Sequence, residues 1–303
     1  MSFSYNVKEE LAKKNEAPKH CRVAQLSAMA AFCAIYQDGG IVFRHENSLV
    51  LDVVKDLLKS AFSLEENDFE ERPGILSVRN NEAAGQVLMG IKWMTGAGED
   101  TCIERKIFSS ILLRNDCCKK AYLRGAFLCA GSVNDPNGAY HFEIVCRSKE
   151  EAEVVASLLK GFSLDVKTIE RKKHTIAYLK DGSNITDALN LMGAFNAQME
   201  FYNVMILKDM RNNVNRKVNC ETANLKKTVS ASLKQIEDIE YIRDNIGMEA
   251  LKEGLREVAL LRLDNPDASL KDLGEMLEPP LGRSGVNHRL KAISEFAEEH
   301  RNG

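Results

Sequence analysis

Two groups of residues have side-chain types and spacings that point to chemistry. The first lies near the end of the chain, where residues 279–294 contain Arg283, Arg289 and Lys291 and no acidic residue. Ser284, Asn287, His288 and Lys291 recur at three- and four-residue spacing, so on a helix they share one side, opposite Val286, Leu290, Ile293 and Ala297. Asparagine pairs well with adenine, and lysine and arginine pair with guanine or phosphate. The N-terminal part of such a helix is what enters a major groove. Arg283 and Arg289 flank this surface and suit phosphates. The second group is a pair of carboxylates, Asp38 and Asp135, 97 positions apart in related segments. A symmetric acidic pair is an arrangement that could hold a divalent metal for phosphodiester hydrolysis. Both acids also read as turn formers, because Asp38 precedes Gly39-Gly40 and Asp135 sits in Asn-Asp-Pro-Asn-Gly. No phosphate-binding glycine loop, nucleophile elbow or paired-histidine zinc motif accompanies them.

The elements that must position these residues show themselves by duplication. Leu26 in QLSAMAAFCAIYQDGG aligns with Leu123 in YLRGAFLCAGSVNDPNG; Phe62-Ser63-Leu64 recurs as Phe162-Ser163-Leu164, and Leu88-Met89-Gly90 as Leu191-Met192-Gly193. The offset drifts from 97 to 100 to 103, as small insertions in the second copy would cause. Each copy reads as a small-residue helix, a turn, β-like runs, an amphipathic helix, a second strand pair and a closing helix, that is, αββαββα twice. The amphipathic helices are expected over Ser48 to Ala61 and Lys149 to Gly161. Ala28, Ala31 and Ala34 recur every third residue, and Gly125 and Gly131 lie six apart. Two first helices with such small residues are expected to pack closely along a pseudo-twofold axis, with two separate alanine-rich core helices as the plainer alternative.

Here the residues carry a resemblance. Leu123 to Gly131 looks like a decayed LAGLIDADG box, and Leu26 to Ala34 like a more decayed one. The whole chain resembles the WhiA family of bacterial DNA-binding sporulation and cell-division regulators, most specifically over Tyr122 to Asn134, Asn212 to Thr228 and Pro266 to Leu290. That resemblance implies two saddle-shaped sheets able to straddle DNA, and control of cell division, chromosome segregation and sporulation. A working nuclease of this architecture needs an acid at the eighth box position. Here those positions are Cys33 and Ala130: alanine has no ligand atom, and a thiol is a poor partner for a hard cation. Binding without cutting is therefore expected. The alternatives are a metal-dependent endonuclease using Asp38 and Asp135, and an adaptor that binds a protein partner.

Between the duplicated part and the end, residues 208–234 hold seven basic residues against two acidic ones, a net +5, and many asparagines. The segment reads as a solvated linker or as an arm in which Arg211, Arg216, Lys217, Lys226 and Lys227 hold phosphates; resemblance to the family's linker favours the arm. Beyond it, residues 237–303 carry nine basic against fifteen acidic residues, so the cations at 283–291 form a basic tip on an acidic domain. Helices are expected over Ile236 to Asn245 and Met248 to Leu263, then a short one capped by Ser269, then a last one capped by Ser284. The helix-turn-helix surface toward DNA is Ser269, Lys271, Arg283, Ser284, Gly285, Asn287, His288, Arg289 and Lys291.

The fold class is thus α+β, a duplicated αββαββα domain followed by an all-α helix-turn-helix domain. Its parts are a lead helix (1–20), repeats at 21–110 and 117–207, a basic linker (208–235) and the helix-turn-helix domain (236–303). The net charge of −3 excludes a wholly basic nucleic-acid coat. The eight cysteines lack a two-residue gap between any pair and read as reduced core thiols. The start has no apolar signal core and no segment approaches a membrane span, which places the chain in the cytoplasm, at the nucleoid. Double-stranded DNA is the expected partner, with other transcription regulators beside it. No metal, cofactor, membrane or small-molecule substrate is expected.

Overall fold

The computed structural model describes residues 2–14, 18–79, 81–96, 102–107 and 109–301. Two compact units divide the chain, residues 1–208 and 209–303.

In the first unit a lead helix, α1 (Phe3–Ala12), is capped by the Ser2 hydroxyl and buries Phe3, Val7 and Leu11. The first copy follows as α2 (Lys19–Cys33), β1 (Ala34–Gln37), β2 (Gly40–Arg44), α3 (Ser48–Phe62), β3 (Phe69–Arg72), β4 (Ile75–Val78) and α4 (Asn81–Gly90). A short hairpin, β5 (Met94–Thr95) and β6 (Cys102–Ile103), comes next. The second copy is α5 (Asp116–Ala130), β7 (Gly131–Val133), β8 (Phe142–Cys146), α6 (Lys149–Lys160), β9 (Lys167–Arg171), β10 (His174–Leu179) and α7 (Gly182–Met192). The strand orders β1-β2-β4-β3 and β7-β8-β10-β9 are the same antiparallel topology twice. The register matches as well, with Ala34 opposite Phe43 in one sheet and Gly131 opposite Ile144 in the other.

The recurring tripeptide has a structural cause. Ser63 and Ser163 both adopt left-handed backbone, φ 60° and 64°, and turn the chain after α3 and α6 so that Leu64 and Leu164 enter the core. The two first helices also meet as expected. A β-carbon at Gly125 of α5 would lie 2.5 Å from the Gln25 carbonyl oxygen and 3.1 Å from Ala28 Cβ on α2, so glycine is what permits this approach. Ala34 and Gly131, expected on the same helix faces, instead begin β1 and β7, because both helices stop one residue earlier. A β-carbon at Gly131 would run into its own Phe127 ring rather than into a neighbouring helix.

The basic segment at 208–235 is helical. It forms the middle of α8 (Phe195–Asn245), a single helix of 51 residues that also includes the helix expected over Ile236 to Asn245. Exposed Met210, Val214, Val218, Leu225, Val229 and Leu233 recur along it at mostly four-residue spacing.

The second unit continues with a 3₁₀ turn at Met248–Ala250, α9 (Glu253–Asp264), α10 (Leu270–Glu275) and α11 (Arg283–Arg301). The helix expected from Met248 therefore begins five residues later, although Leu251 in the preceding turn is still buried. Ile239, Ile242, Val258, Leu273, Val286, Leu290 and Ile293 build a core of their own. Arg262 is buried beside it, and its Nη1 donates to the Ala268 carbonyl at 2.8 Å and the Pro266 carbonyl at 3.3 Å. That holds the break between α9 and α10, and burial lowers the pKa of the guanidinium.

Candidate nucleic-acid interface

The tip of the second unit is built by α10, a turn and α11. Ser269 caps α10: its hydroxyl accepts from Asp272 N, and the Asp272 carboxylate accepts from Ser269 N at 3.1 Å. These bonds hold the Asp272 carboxyl below its ordinary range. Gly274 is buried between α10 and the returning chain, and its carbonyl accepts from Leu281 N at 2.9 Å. A β-carbon there would strike the Leu281 carbonyl and press on Val286. This glycine sets how closely the turn brings α11 to α10.

Val286, Leu290, Ile293 and Ala297 are all buried, and Ser284, Asn287, His288 and Lys291 are all exposed, so the amphipathic reading of α11 holds residue by residue. Three details differ. Ser284 is not the cap but lies in the first turn, because the helix already begins at Arg283; Gly285 N and Val286 N both donate to the Gly282 carbonyl. Arg289 is half-buried, and its Nη1 donates to the Gly254 carbonyl at 3.0 Å, so part of its guanidinium ties α11 to α9. Ser269 is engaged in its cap. Arg283 is exposed. Lys271 and Lys291 are exposed and make only surface pairs, with Glu275 at 3.6 Å and Glu295 at 3.4 Å. Such pairs are worth little and yield easily to a phosphate or a base.

Arg211, Arg216, Lys217, Lys226 and Lys227 are all exposed on α8, and none makes an ion pair among the described residues. At 100° per residue, Arg211, Arg216, Lys226 and Lys227 spread over about 160° of the circumference, with Lys217 beyond them. At 1.5 Å per residue they extend along roughly 24 Å of axis, so the five cations clothe about two thirds of the helix circumference over that length.

The eighth box positions, Cys33 at the end of α2 and Ala130 at the end of α5, carry no carboxylate. Cys33 donates to the Met29 carbonyl at 3.0 Å, and the Cys129 thiol lies 3.7 Å from it. Burial pushes the Cys129 thiol well up. The Ala31 carbonyl, left open at the end of α2, accepts from Arg105 Nη2 at 2.6 Å and also from Arg147. Both guanidiniums pair with the fully buried Glu151. A helix C-terminus favours positive charge, and here two side chains supply it; they oppose any further cation. Asp38 and Asp135 stand in turns. Asp38 and Gly39 have φ of 52° and 77° at the tip of the β1–β2 hairpin, the backbone of a type I′ turn, so Asp38 lies a whole strand away from the helix end. Asp135 Oδ1 accepts from Asn137 N at 2.8 Å, and that bond holds its carboxyl below the usual range.

One cluster was not legible from local spacing. His20 and Cys21 open α2, Cys117 and Cys118 open α5, and their ligating atoms all lie within 4.8 Å of one another. Cys21 and Cys118 are buried; Cys117, like Cys102 and Cys220, is exposed and is not the core thiol expected. The signal was the offset of 97 that relates Cys21 to Cys118.

Comparison with known proteins agrees with this geometry. Residues 119–211 match the model of the WhiA LAGLIDADG-like domain, and residues 214–297 that of the WhiA C-terminal HTH domain. A probable cell division protein WhiA from Lachnospira eligens is 46% identical over 99% of this chain and 98% of its own. Its counterpart from Lachnoclostridium phytofermentans is 42% identical over 98% and 99%. The crystal structure of a full-length WhiA from Thermatoga maritima covers 99% of both chains at 25% identity, with a TM-score of 0.60. Sequence, topology and domain order agree along the whole length, and the chain belongs to the WhiA family.

Proposed function

We propose that this chain is a sequence-specific DNA-binding transcriptional regulator that acts in cell division, chromosome segregation and sporulation control, and that its duplicated domain binds without cutting. The observation that carries the reading is the polar face of α11, where Ser284, Asn287, His288 and Lys291 stand exposed opposite a fully buried face. The helix-turn-helix match and the naming of its relatives as probable cell division proteins support it. Phosphate contacts fall to Arg283, Lys271 and the cations of α8, and base contacts to Asn287, His288 and Lys291. Cys33 and Ala130 offer no hard-cation ligand, and Asp38 and Asp135 serve turns, which favours binding over hydrolysis. DNA binding implies a place at the nucleoid; no helix of the described residues is long and apolar enough to cross a membrane. The exposed apolar residues from Met210 to Leu233 favour a second reading beside the first, in which α8 also docks another regulator.

The test is selection of genomic fragments by the full-length protein, followed by incubation of bound and supercoiled DNA with Mg²⁺ or Mn²⁺. A recurrent motif among retained fragments and intact DNA are expected. Retention without sequence preference would remove the regulator reading. Nicking abolished by Asp38→Asn and Asp135→Asn would replace it with an endonuclease.

A further inference from the structure

The structure assigns to His20, Cys21, Cys117 and Cys118 a structural zinc site that clamps the N-terminal ends of α2 and α5. The four residues come from two dipeptides, each at the second and third positions of its helix, related by the same offset of 97 that relates the two copies. The local backbones match: Cys21 N donates to the Pro18 carbonyl at 2.9 Å and Cys118 N to the Asn115 carbonyl at 3.0 Å. The pseudo-twofold axis thus brings two pairs of ligands face to face. His20 Nδ1 lies 3.2 Å from Cys118 Sγ and 3.3 Å from Cys21 Sγ, and all four ligating atoms lie within 4.8 Å of one another. Tetrahedral zinc, with bonds of about 2.3 Å to sulfur and about 2.0 Å to nitrogen, needs ligand atoms roughly 3.5–3.8 Å apart. The cluster brackets that spacing.

Ligand type and charge select the ion. Three sulfurs and one imidazole nitrogen form a soft, closed set of four, which suits zinc in a structural role and leaves no open position for catalysis. Binding forms three sulfur–metal bonds and one nitrogen–metal bond and releases the three thiol protons to solvent, with no oxidant or reductant needed. The product carries one net negative charge, which two helix N-termini stabilise where they would disfavour a bare cation. His20 and Cys117 are exposed and give the ion a path in.

The experiment is metal analysis of the full-length protein purified under reducing, oxygen-free conditions, followed by cobalt titration of the chelator-stripped protein. We expect one zinc per chain, and with cobalt the strong visible bands of a tetrahedral centre together with thiolate-to-cobalt charge transfer. Cys117→Ser and His20→Gln, both at exposed positions, should weaken binding by more than the roughly 10–100-fold that loss of an outer-sphere partner costs. Cys220→Ser should leave binding unchanged. Absence of zinc and of a tetrahedral cobalt spectrum in the reduced wild type would overturn the assignment, whatever the variants do. So would a Cys117→Ser protein that binds cobalt as tightly as wild type, or a native disulfide within the cluster.

Discussion

Gly125→Ala and Gly85→Ala form a matched pair that isolates the contact between the two central helices. Both glycines are helical, so alanine gains the same propensity at each, roughly 1 kcal/mol. Their surroundings differ. Nothing lies within 4 Å of a β-carbon at Gly85, whereas at Gly125 the new atom meets the Gln25 carbonyl at 2.5 Å, Ala28 Cβ at 3.1 Å and Met29 Cγ at 3.2 Å. The nearest of these is backbone and cannot rotate away, so α2 and α5 must separate. Overpacking of this kind costs about 1–3 kcal/mol. Gly85→Ala should therefore stabilise the first unit by about 0.5–1 kcal/mol, and Gly125→Ala should be neutral to about 2 kcal/mol destabilising. Because propensity cancels between them, their difference is the overpacking cost itself. At about 2–4 °C per kcal/mol for a unit of this size, the two midpoints should differ by roughly 2–12 °C in calorimetry of the first unit's transition. Equal shifts for the two variants would refute the close helix pair.

Removing Arg216, Lys217, Lys226 and Lys227 together should weaken binding to all duplexes alike. It should also flatten the log–log salt dependence by about 0.9 for each phosphate that the protein no longer neutralises; an unchanged slope in a fluorescence titration returns α8 to a passive connector. Ser269→Ala should cost the second unit about 1 kcal/mol in denaturant unfolding, while Ser269→Asp should keep the cap; equal destabilisation by both would refute capping as the role of this side chain. Glu151→Gln leaves Arg105 and Arg147 without their buried partner. With both guanidiniums more than a third exposed, we expect about 1–3 kcal/mol of destabilisation by urea titration, and an unchanged midpoint would mean that solvent already screens the cluster.

Periodicity and duplication made most of the fold legible. Both copies keep their apolar spacing and their turn residues, so the order αββαββα could be read twice over, and the recurrence of Phe62-Ser63-Leu64 marked what proves to be a left-handed turn. The helix through 208–235 was hidden by composition, because asparagine-rich, polar stretches read as linker. Met210, Val214 and Val218, four residues apart, were the signal that a helix continued. On α11 the face was legible because one side is all apolar, but the roles of Ser284 and Arg289 depended on where the helix begins and on the Gly254 carbonyl of another element. The cluster at His20 and Cys117 depends on two segments that meet only through tertiary packing. No local spacing rule reaches across it.

Nuclease protection on a fragment selected from genomic DNA, with wild type beside Asn287→Ala and Lys291→Ala, tests base reading by α11 most directly. Wild type should protect one defined site. Each variant should lose about 1–3 kcal/mol there, tolerate substitution at one base position that wild type rejects, and bind scrambled duplex as wild type does. Identical protection by all three proteins, on target and scrambled DNA alike, would contradict the assignment of α11 as the element that reads sequence.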